Sequence, residues 1–485
     1  MIKVYLDWNV MSGMKNNHFQ ELNDIILNRD KFLLLYSTSH IGDIFASIKN
    51  HSEDEQILVR EDLDYITKLT DDLCLVNNSK EVTLSKYEPG ELLDDRIREA
   101  PLFQDFSIDS LFSSIEEDNL MFGLVSSMKN MISSIPLDTA FKEAFENPES
   151  AAMLDKMFPG LKEDKTMNGF FKSFGKMFHN MNETEDYKDL RNMVQQIGVN
   201  SGHFNENKNP FEVIDNAYKK TGIENFDVNQ YFDKTKNAPE WFNDITNEYV
   251  KLDMHGFKAD KVKVTDKEKN TFKNTTEDAS HSAFASRCEF YITNDDKNYH
   301  KAKAVFRKLG IYTIVLKPSE FIQYYNLFLN VKSFDDHFIS INEELKRIEN
   351  FQEQKYESGE SFGWVNFTNQ YFFNFFNKIL IPNSEINDAL FILGKENPSR
   401  SYIISQREIE AMLKLFADKL GSDINGKSYF EVGEINSSED WSGRIWETSI
   451  GQINIKRLNG WFQMYFYPLT EKEAQIENST LNKEL

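Results

Sequence analysis

Four aspartates occupy matching points of a chain that alternates apolar runs with helical patterns. Asp7 ends the first run, in Leu6-Asp7-Trp8-Asn9, and Asp43 falls on the first turns of the helix after the second, in Ser39-His40-Ile41-Gly42-Asp43. Much later Asp278 opens the segment Asp278-Ala279-Ser280-His281, and Asp295 follows the run Tyr291-Ile292-Thr293. In an open parallel sheet, positions just past the strand C-termini and at the following helix N-termini share one edge. Carboxylates gathered there repel one another, and each resists ionising unless a cation is present. Mg2+ or Mn2+ relieves this, because hard cations take oxygen ligands and keep waters for a substrate phosphate. Paired ions about 3.5–4 Å apart can activate a water and stabilise the leaving oxygen of a phosphodiester. The expected chemistry is metal-assisted hydrolysis. Taken singly, Asp7 and Asp278 read as helix caps, and Asp43 and Asp295 as solvated charges. Their joint placement carries the information.

The elements that must position these residues follow from periodicity. Lys3–Leu6 and Phe32–Tyr36 read as buried strands, each followed by a segment with apolar residues at helical spacing. The same style returns with a helix over 278–287, a strand over 290–293, a helix over 297–309 stopped by Gly310, and a strand over 311–316. Such alternation predicts an α/β fold with a mostly parallel sheet flanked by helices. Between the halves, residues 53–76 read as one amphipathic helix with Leu63, Ile66, Leu69 and Leu73 on one side, and 82–84 as a short strand. Beyond them lie Pro-broken helical pieces rich in Phe and Met, from Met121 to Met181 a soft packing surface. After residue 332 the pattern changes to an α+β style. Helices are expected over 341–354, 365–381 and 404–420, and strands over 429–432, 445–457 and 461–468. Asn459-Gly460 signals a hairpin, since both turn positions need positive φ. The expected organisation is a split α/β domain over 1–50 and 255–331, a mainly helical insertion over 51–254, a C-terminal α+β domain over 332–470 and a polar tail over 471–485.

Composition narrows the function classes. The 485 residues suffice for roughly three domains at about 150 each. Against 55 basic residues stand 78 acidic ones, a net charge of −23, which excludes a generally basic nucleic-acid coat. Cys74 and Cys288 are the only cysteines, so neither a disulfide framework nor a cysteine-based zinc site is expected, and a reducing cytoplasm is. No apolar run is long enough to predict a membrane span. The 40 Phe, clustered as in Phe372-Phe373 and Phe375-Phe376, are read as aromatic helix packing rather than base stacking.

On these motifs the chain resembles the PIN-domain nuclease superfamily: the opening strand into Asp7-x-Asn9, Ser39-x-x-x-Asp43, Asp278-Ala279-x-His281-x-Ala283, Thr293-x-Asp295, and Thr313-Ile314-Val315 leading to Pro318-x-Glu320-Phe321. The matching segments cover about a quarter of the chain. The resemblance implies a PIN-like sheet and metal-dependent phosphodiester hydrolysis, most often of RNA. Asp7, Asp43, Asp278 and Asp295 would be the catalytic, metal-binding acids, with Asn9 and Thr293 as orienting polar residues. Two departures stand out: Asp43 is a shorter arm than the family's commoner Glu, and the insertion is far longer than usual.

Two basic stretches oppose the overall charge. One holds Lys297, Lys301, Lys303, Arg307 and Lys308 with no acid; the other, residues 251–273, holds seven lysines against four acids. Lys297, Lys301, Lys303 and Arg307 are candidate phosphate contacts, against the alternative of a solvated helix face. His281 and His300 are read as structural, with an acid or hydrogen-bond donor role as the alternative. Of two adjacent acids, Asp295 is assigned to metal and Asp296 to capping the next helix. The expected function is a PIN-type endoribonuclease, regulated as a toxin or defence effector. RNA is its substrate, a regulatory protein its partner, and a homo-oligomer an open option; no membrane is involved. The alternatives are a non-catalytic PIN-like scaffold and a structure-specific DNA nuclease.

Overall fold

Ile2–Leu6 (β1) is continuously apolar apart from Lys3 and buried along its whole length, as a central strand covered on both faces must be. It is followed by Trp8–Lys15 (α1), Gln20–Ile26 (α2), Phe32–Ser37 (β2), Thr38–Ser47 (α3), Glu53–Thr70 (α4), Leu73–Asn77 (β3), Val82–Lys86 (β4) and Pro89–Gln104 (α5). Pro210–Lys220 (α6), Glu240–Met254 (α7), Phe272–Ala285 (α8), Phe290–Ile292 (β5), Asp296–Leu309 (α9) and Ile314–Leu316 (β6) come next. The computed structural model describes residues 1–48, 52–104, 195, 199–204, 208–220, 238–258, 272–385, 387–397, 406–431, 433–435 and 440–469. The Met-rich stretch from Met121 to Met181 and most of the basic 251–273 stretch lie outside these residues.

The six strands form one sheet in the order β4-β3-β2-β1-β5-β6. β1 pairs with β5, β5 with β6 and β2 with β3 in parallel, whereas β3 and β4 are antiparallel, so the sheet is mixed. The sheet is wider than periodicity predicts. The expected helix over 53–76 stops at Thr70, turns through Asp71 and Asp72 at φ 51° and 64°, and continues as β3. Both residues are aspartates, among the few side chains that tolerate the left-handed region. Leu73-Cys74-Leu75-Val76 is too short an apolar run for periodicity to separate from the helix before it.

The described chain divides into two compact units: Val4–Gln20 with Leu34–Pro318, and Met1–Lys3, Glu21–Leu33 and Ser319–Leu485. The second unit contains Pro318–Tyr324 (α10, beginning at the unit boundary), Phe334–Leu345 (α11), Gln352–Lys355 (β7), Ser361–Phe372 (β8), Phe376–Pro382 (β9) and Phe391–Gly394 (β10). Gln406–Leu420 (α12), Trp441–Thr448 (β11), Gly451–Leu458 (β12) and Trp461–Pro468 (β13) complete it. Its sheet runs β11-β12-β13-β10-β9-β8-β7, antiparallel at every pairing. Phe372, Phe373, Phe375 and Phe376 join Ile341 of α11 and Met412, Leu413 and Phe416 of α12 in one core. The aromatic clusters here are packing residues as expected, but they lie on a strand pair and its turn rather than on packed helices.

Several C-terminal expectations fail. The segment 365–381 is a hairpin, β8 to β9, rather than a helix. Its turn places Phe373 and Asn374 at φ 52° and 54°, a conformation that Phe does not advertise. The expected strand over 429–432 is absent among its described residues, 445–457 breaks into two strands, and the helix expected over 341–354 ends at Leu345. The Asn459-Gly460 hairpin forms, with φ 50° and 81°. In the same unit Glu408 is fully buried between two lysines, at 3.5 Å from Lys3 and 2.5 Å from Lys395. The two ammonium groups overcome the burial that would raise its carboxyl and hold it down at about 2. No helix among the described residues is long and apolar enough to cross a membrane.

Candidate functional site

Asp7 lies at the N-cap position of α1, yet its side chain does not cap that helix. It is 4% exposed and turned toward β5 and α9. Thr293 donates to Asp7 Oδ2 at 2.6 Å, Asn9 at 2.9 Å and Asn298 at 3.0 Å, with the Tyr291 hydroxyl at 3.4 Å. Among the described residues every donor reaches Oδ2 and none reaches Oδ1. One oxygen is saturated and its twin is left over. Burial raises the Asp7 carboxyl; His281 and the Thr293 bond oppose it, and Asp43 and Asp295 add to it.

Asp43 is the sixth residue of α3 and its side chain is 30% exposed. It faces His281 of α8, whose Nε2 donates to Asp43 Oδ2 at 2.9 Å. The helices can approach this closely because Gly42 has no side chain: a Cβ there would meet the Glu277 carboxylate at 2.5 Å. Glu277 is paired to Arg96 of α5. Burial alone would pull His281 down, but the Asp43, Asp7 and Glu277 charges outweigh it and raise the imidazole to about 9. Both ring nitrogens therefore carry hydrogen at neutral pH. Nδ1 donates to the Tyr5 hydroxyl at 2.7 Å, and Tyr5 passes its own hydrogen to Ser37 Oγ at 2.6 Å. His40 closes the floor beneath them: its Nε2 donates to the Leu6 carbonyl at 2.8 Å, and its Nδ1 accepts the Ser37 N–H at 3.0 Å. Burial and the His281 charge keep His40 neutral.

Asp7, Asp43 and His281 each offer a ligand atom, all within 4.8 Å of one another, and can hold a metal ion. Two carboxylates and one imidazole suit a divalent cation. The spare Oδ1 of Asp7 fits a ligand role.

The other two predicted acids stand nearby without joining this group. Asp278 is the seventh residue of α8, not its cap, and lies one turn from His281 on the same helix face. Its carboxyl is raised well above the usual range by burial, then by Asp7, with Lys301 opposing and Asp43 and Asp295 adding. The four aspartates thus share one electrostatic neighbourhood. Asp295 corrects the sequence reading. It, and not Asp296, caps α9, its Oδ1 accepting from the N–H groups of Lys297 at 2.7 Å and Asn298 at 2.9 Å. Asp296 is 88% exposed and pairs with Lys317 at 2.6 Å. The cap falls one residue earlier because Thr293 and Asn294 carry the chain out of β5 before the helix starts.

Of the candidate phosphate contacts, Lys301 is also corrected. It is 3% exposed and paired to the buried Asp253, so it faces the interior. Lys303 and Arg307 are exposed and Lys297 is half-buried; Lys303 donates to the Tyr299 hydroxyl at 2.6 Å. In the second basic stretch, Lys251 is buried, 3.7 Å from Asp215. His281, expected to be structural, instead lies among the candidate ligands. Tyr5, His40 and Asn298 enter the site without any motif that announces them. Two signals in the sequence do bear on the arrangement: Tyr5-x-Asp7 places both residues on one side of an extended segment, and Asp278-x-x-His281 places both on one helix face.

Comparison with family models, with curated proteins and with solved structures finds no match for this chain.

Proposed function

We propose that the chain is a metal-dependent phosphodiesterase of PIN type that cleaves RNA. In this reading Asp7, Asp43 and His281 hold Mg2+ or Mn2+, and Asp278 and Asp295 line the same cleft. The observation that carries it is the gathering of Asp7, Asp43 and His281 within 4.8 Å beyond the C-terminal ends of β1 and β2. Ligands of α/β sheets bind at that edge. A bound ion would supply a water of lowered pKa and stabilise the leaving oxygen of a phosphodiester. The chain's own residues do the rest. Thr293, Asn9 and Asn298 hold Asp7 through Oδ2 and leave Oδ1 without a donor among the described residues. Asp278, whose carboxyl is raised by burial and by Asp7, would serve as the proton donor to a leaving oxygen. The resemblance to PIN-domain nucleases favours RNA over DNA. The long insertion and the second unit favour control by a protein partner, as in a toxin or defence effector.

The test uses the full chain with labelled single-stranded RNA and DNA of one sequence, in Mg2+, Mn2+ or EDTA. RNA cleavage that needs the ion and is lost in Asp7→Asn and Asp278→Asn is the expected result. Wild-type protein that binds RNA but cuts it with neither ion would favour the scaffold alternative and overturn the proposal.

A further inference from the structure

The imidazole in the ligand group has a partner of its own. A coordinating histidine binds through one ring nitrogen and donates from the other, and that second bond fixes its orientation and basicity. Here the Tyr5 hydroxyl stands 2.7 Å from Nδ1, which leaves Nε2, 2.9 Å from Asp43, as the coordinating atom once an ion displaces its proton. Tyr5 is itself held on several sides. It is fully buried in β1, its hydroxyl lies 2.6 Å from Ser37 Oγ, and its ring meets those of His40 and Tyr291 edge-on or tilted at 5.0 and 5.7 Å. The extended backbone of β1 and of Asp7, the residue that follows it, puts Tyr5 and Asp7 on the same side of the chain, so one segment carries both a carboxylate ligand and the partner of the imidazole ligand.

We infer that Tyr5 is a positioning residue that presents His281 Nε2 as a metal ligand, and that this nitrogen makes the site prefer Mn2+ to Mg2+. The inference rests on the reading of Asp7, Asp43 and His281 as a metal site. Its physical basis is ligand type: imidazole suits transition ions, whereas Mg2+ favours carboxylate and water oxygens and octahedral geometry. An all-carboxylate group would not discriminate in this way. His281 turns a site for a hard cation into one with a nitrogen ligand, and Tyr5 holds that nitrogen in place.

The experiment is calorimetric titration of the full, metal-free protein with Mn2+ and with Mg2+, together with electron spin-echo spectroscopy of the bound Mn2+, which registers a coordinated nitrogen-14. Wild type should bind Mn2+ about tenfold or more tightly than Mg2+ and show the nitrogen modulation. His281→Asp should lose the modulation and the preference. Tyr5→Phe should weaken Mn2+ by roughly 10- to 100-fold, the usual effect of removing such a partner, with a smaller change for Mg2+. Circular dichroism of each variant controls for folding, and the wild-type nitrogen signal decides the ligand even if Tyr5→Phe does not fold. Bound Mn2+ without nitrogen modulation, equal affinity for the two ions, or Mn2+ binding unchanged in folded Tyr5→Phe overturns the inference while leaving a metal site intact. Wild type that binds neither ion, or Asp7→Asn that binds Mn2+ as wild type does, overturns the underlying reading and the inference with it.

Discussion

At Asp295, one carboxylate oxygen accepts two backbone N–H groups at the start of α9 while the residue also contributes to the charge felt by Asp7 and Asp278. The two roles separate by substitution. Asp295→Ala should lower stability by about 0.5–2 kcal/mol, the range for a missing cap, and Asp295→Asn should retain most of it because the amide oxygen still accepts. Asp296→Ala should leave the denaturation midpoint where it is, since its partner Lys317 is met at the surface. Urea unfolding of the three variants checks this; a larger drop in Asp296→Ala than in Asp295→Ala would contradict the cap. Sequence spacing is informative here to within one residue. Aspartate at the end of a strand reads the same whether it caps or ligates, and only the backbone path between Thr293 and Lys297 decides. The imidazole at 281 is legible as a neighbour of Asp278 on one helix face, but its Tyr5 partner is 276 residues away in the chain and no local pattern links them.

Helix α9 has two faces with different fates. Asn298, Tyr299, Lys301, Ala302, Val305 and Phe306 are buried, whereas Lys303 and Arg307 are exposed. Under the proposed function, Lys303→Glu with Arg307→Glu should weaken RNA binding and reduce the log–log salt slope by about 0.7 for each phosphate no longer neutralised. Lys301→Ala should leave that slope alone but cost roughly 3–5 kcal/mol, because it removes the ammonium that neutralises the buried Asp253. Binding measured across a salt series, with unfolding in parallel, separates the two; an unaltered slope in the double variant would assign the exposed face to solvent. Elements are legible in proportion to how well they punctuate themselves. Gly310, at φ 65°, ends α9 as its position predicts. The β8–β9 hairpin turns instead at Phe373-Asn374, within a run of aromatics whose spacing also fits a helix, so a strand pair hides behind a helical pattern.

For the whole molecule, acid is the informative variable. His337 in one unit and His255 in the other are buried and lowered from 6.5 to about 4, chiefly by burial. A histidine whose folded pKa is depressed stabilises the fold above its unfolded value and ceases to do so as pH falls through the folded one. Each shift corresponds to roughly 3 kcal/mol, given up between pH 6.5 and about 4. His281, raised to about 9, has the opposite sign, its contribution present below 6.5 and lost as pH rises through 9. Asp7 and Asp278, raised by burial, also favour the acid side. His337 and His255 should therefore lower thermal stability on acidification through the 6.5-to-4 window, against the relief at the raised carboxyls. His337→Gln, which can still accept the Phe373 N–H, should flatten its own share; a profile identical to wild type would show that His337 is not a source. The α/β class is legible from the alternation of runs. The division into units is not, because each unit is assembled from separated stretches, and periodicity is blind to which stretch meets which. The buried pair of Lys3 and Glu408 spans 405 residues. A ribosome adding about 5–20 residues per second needs roughly 20–80 s to cover that interval. Throughout it Lys3 waits for the Glu408 carboxylate and stays hydrated, since burying an ammonium ahead of its counter-charge costs several kcal/mol. The strand that carries Tyr5 is thus anchored at Lys3 by a residue translated hundreds of positions later.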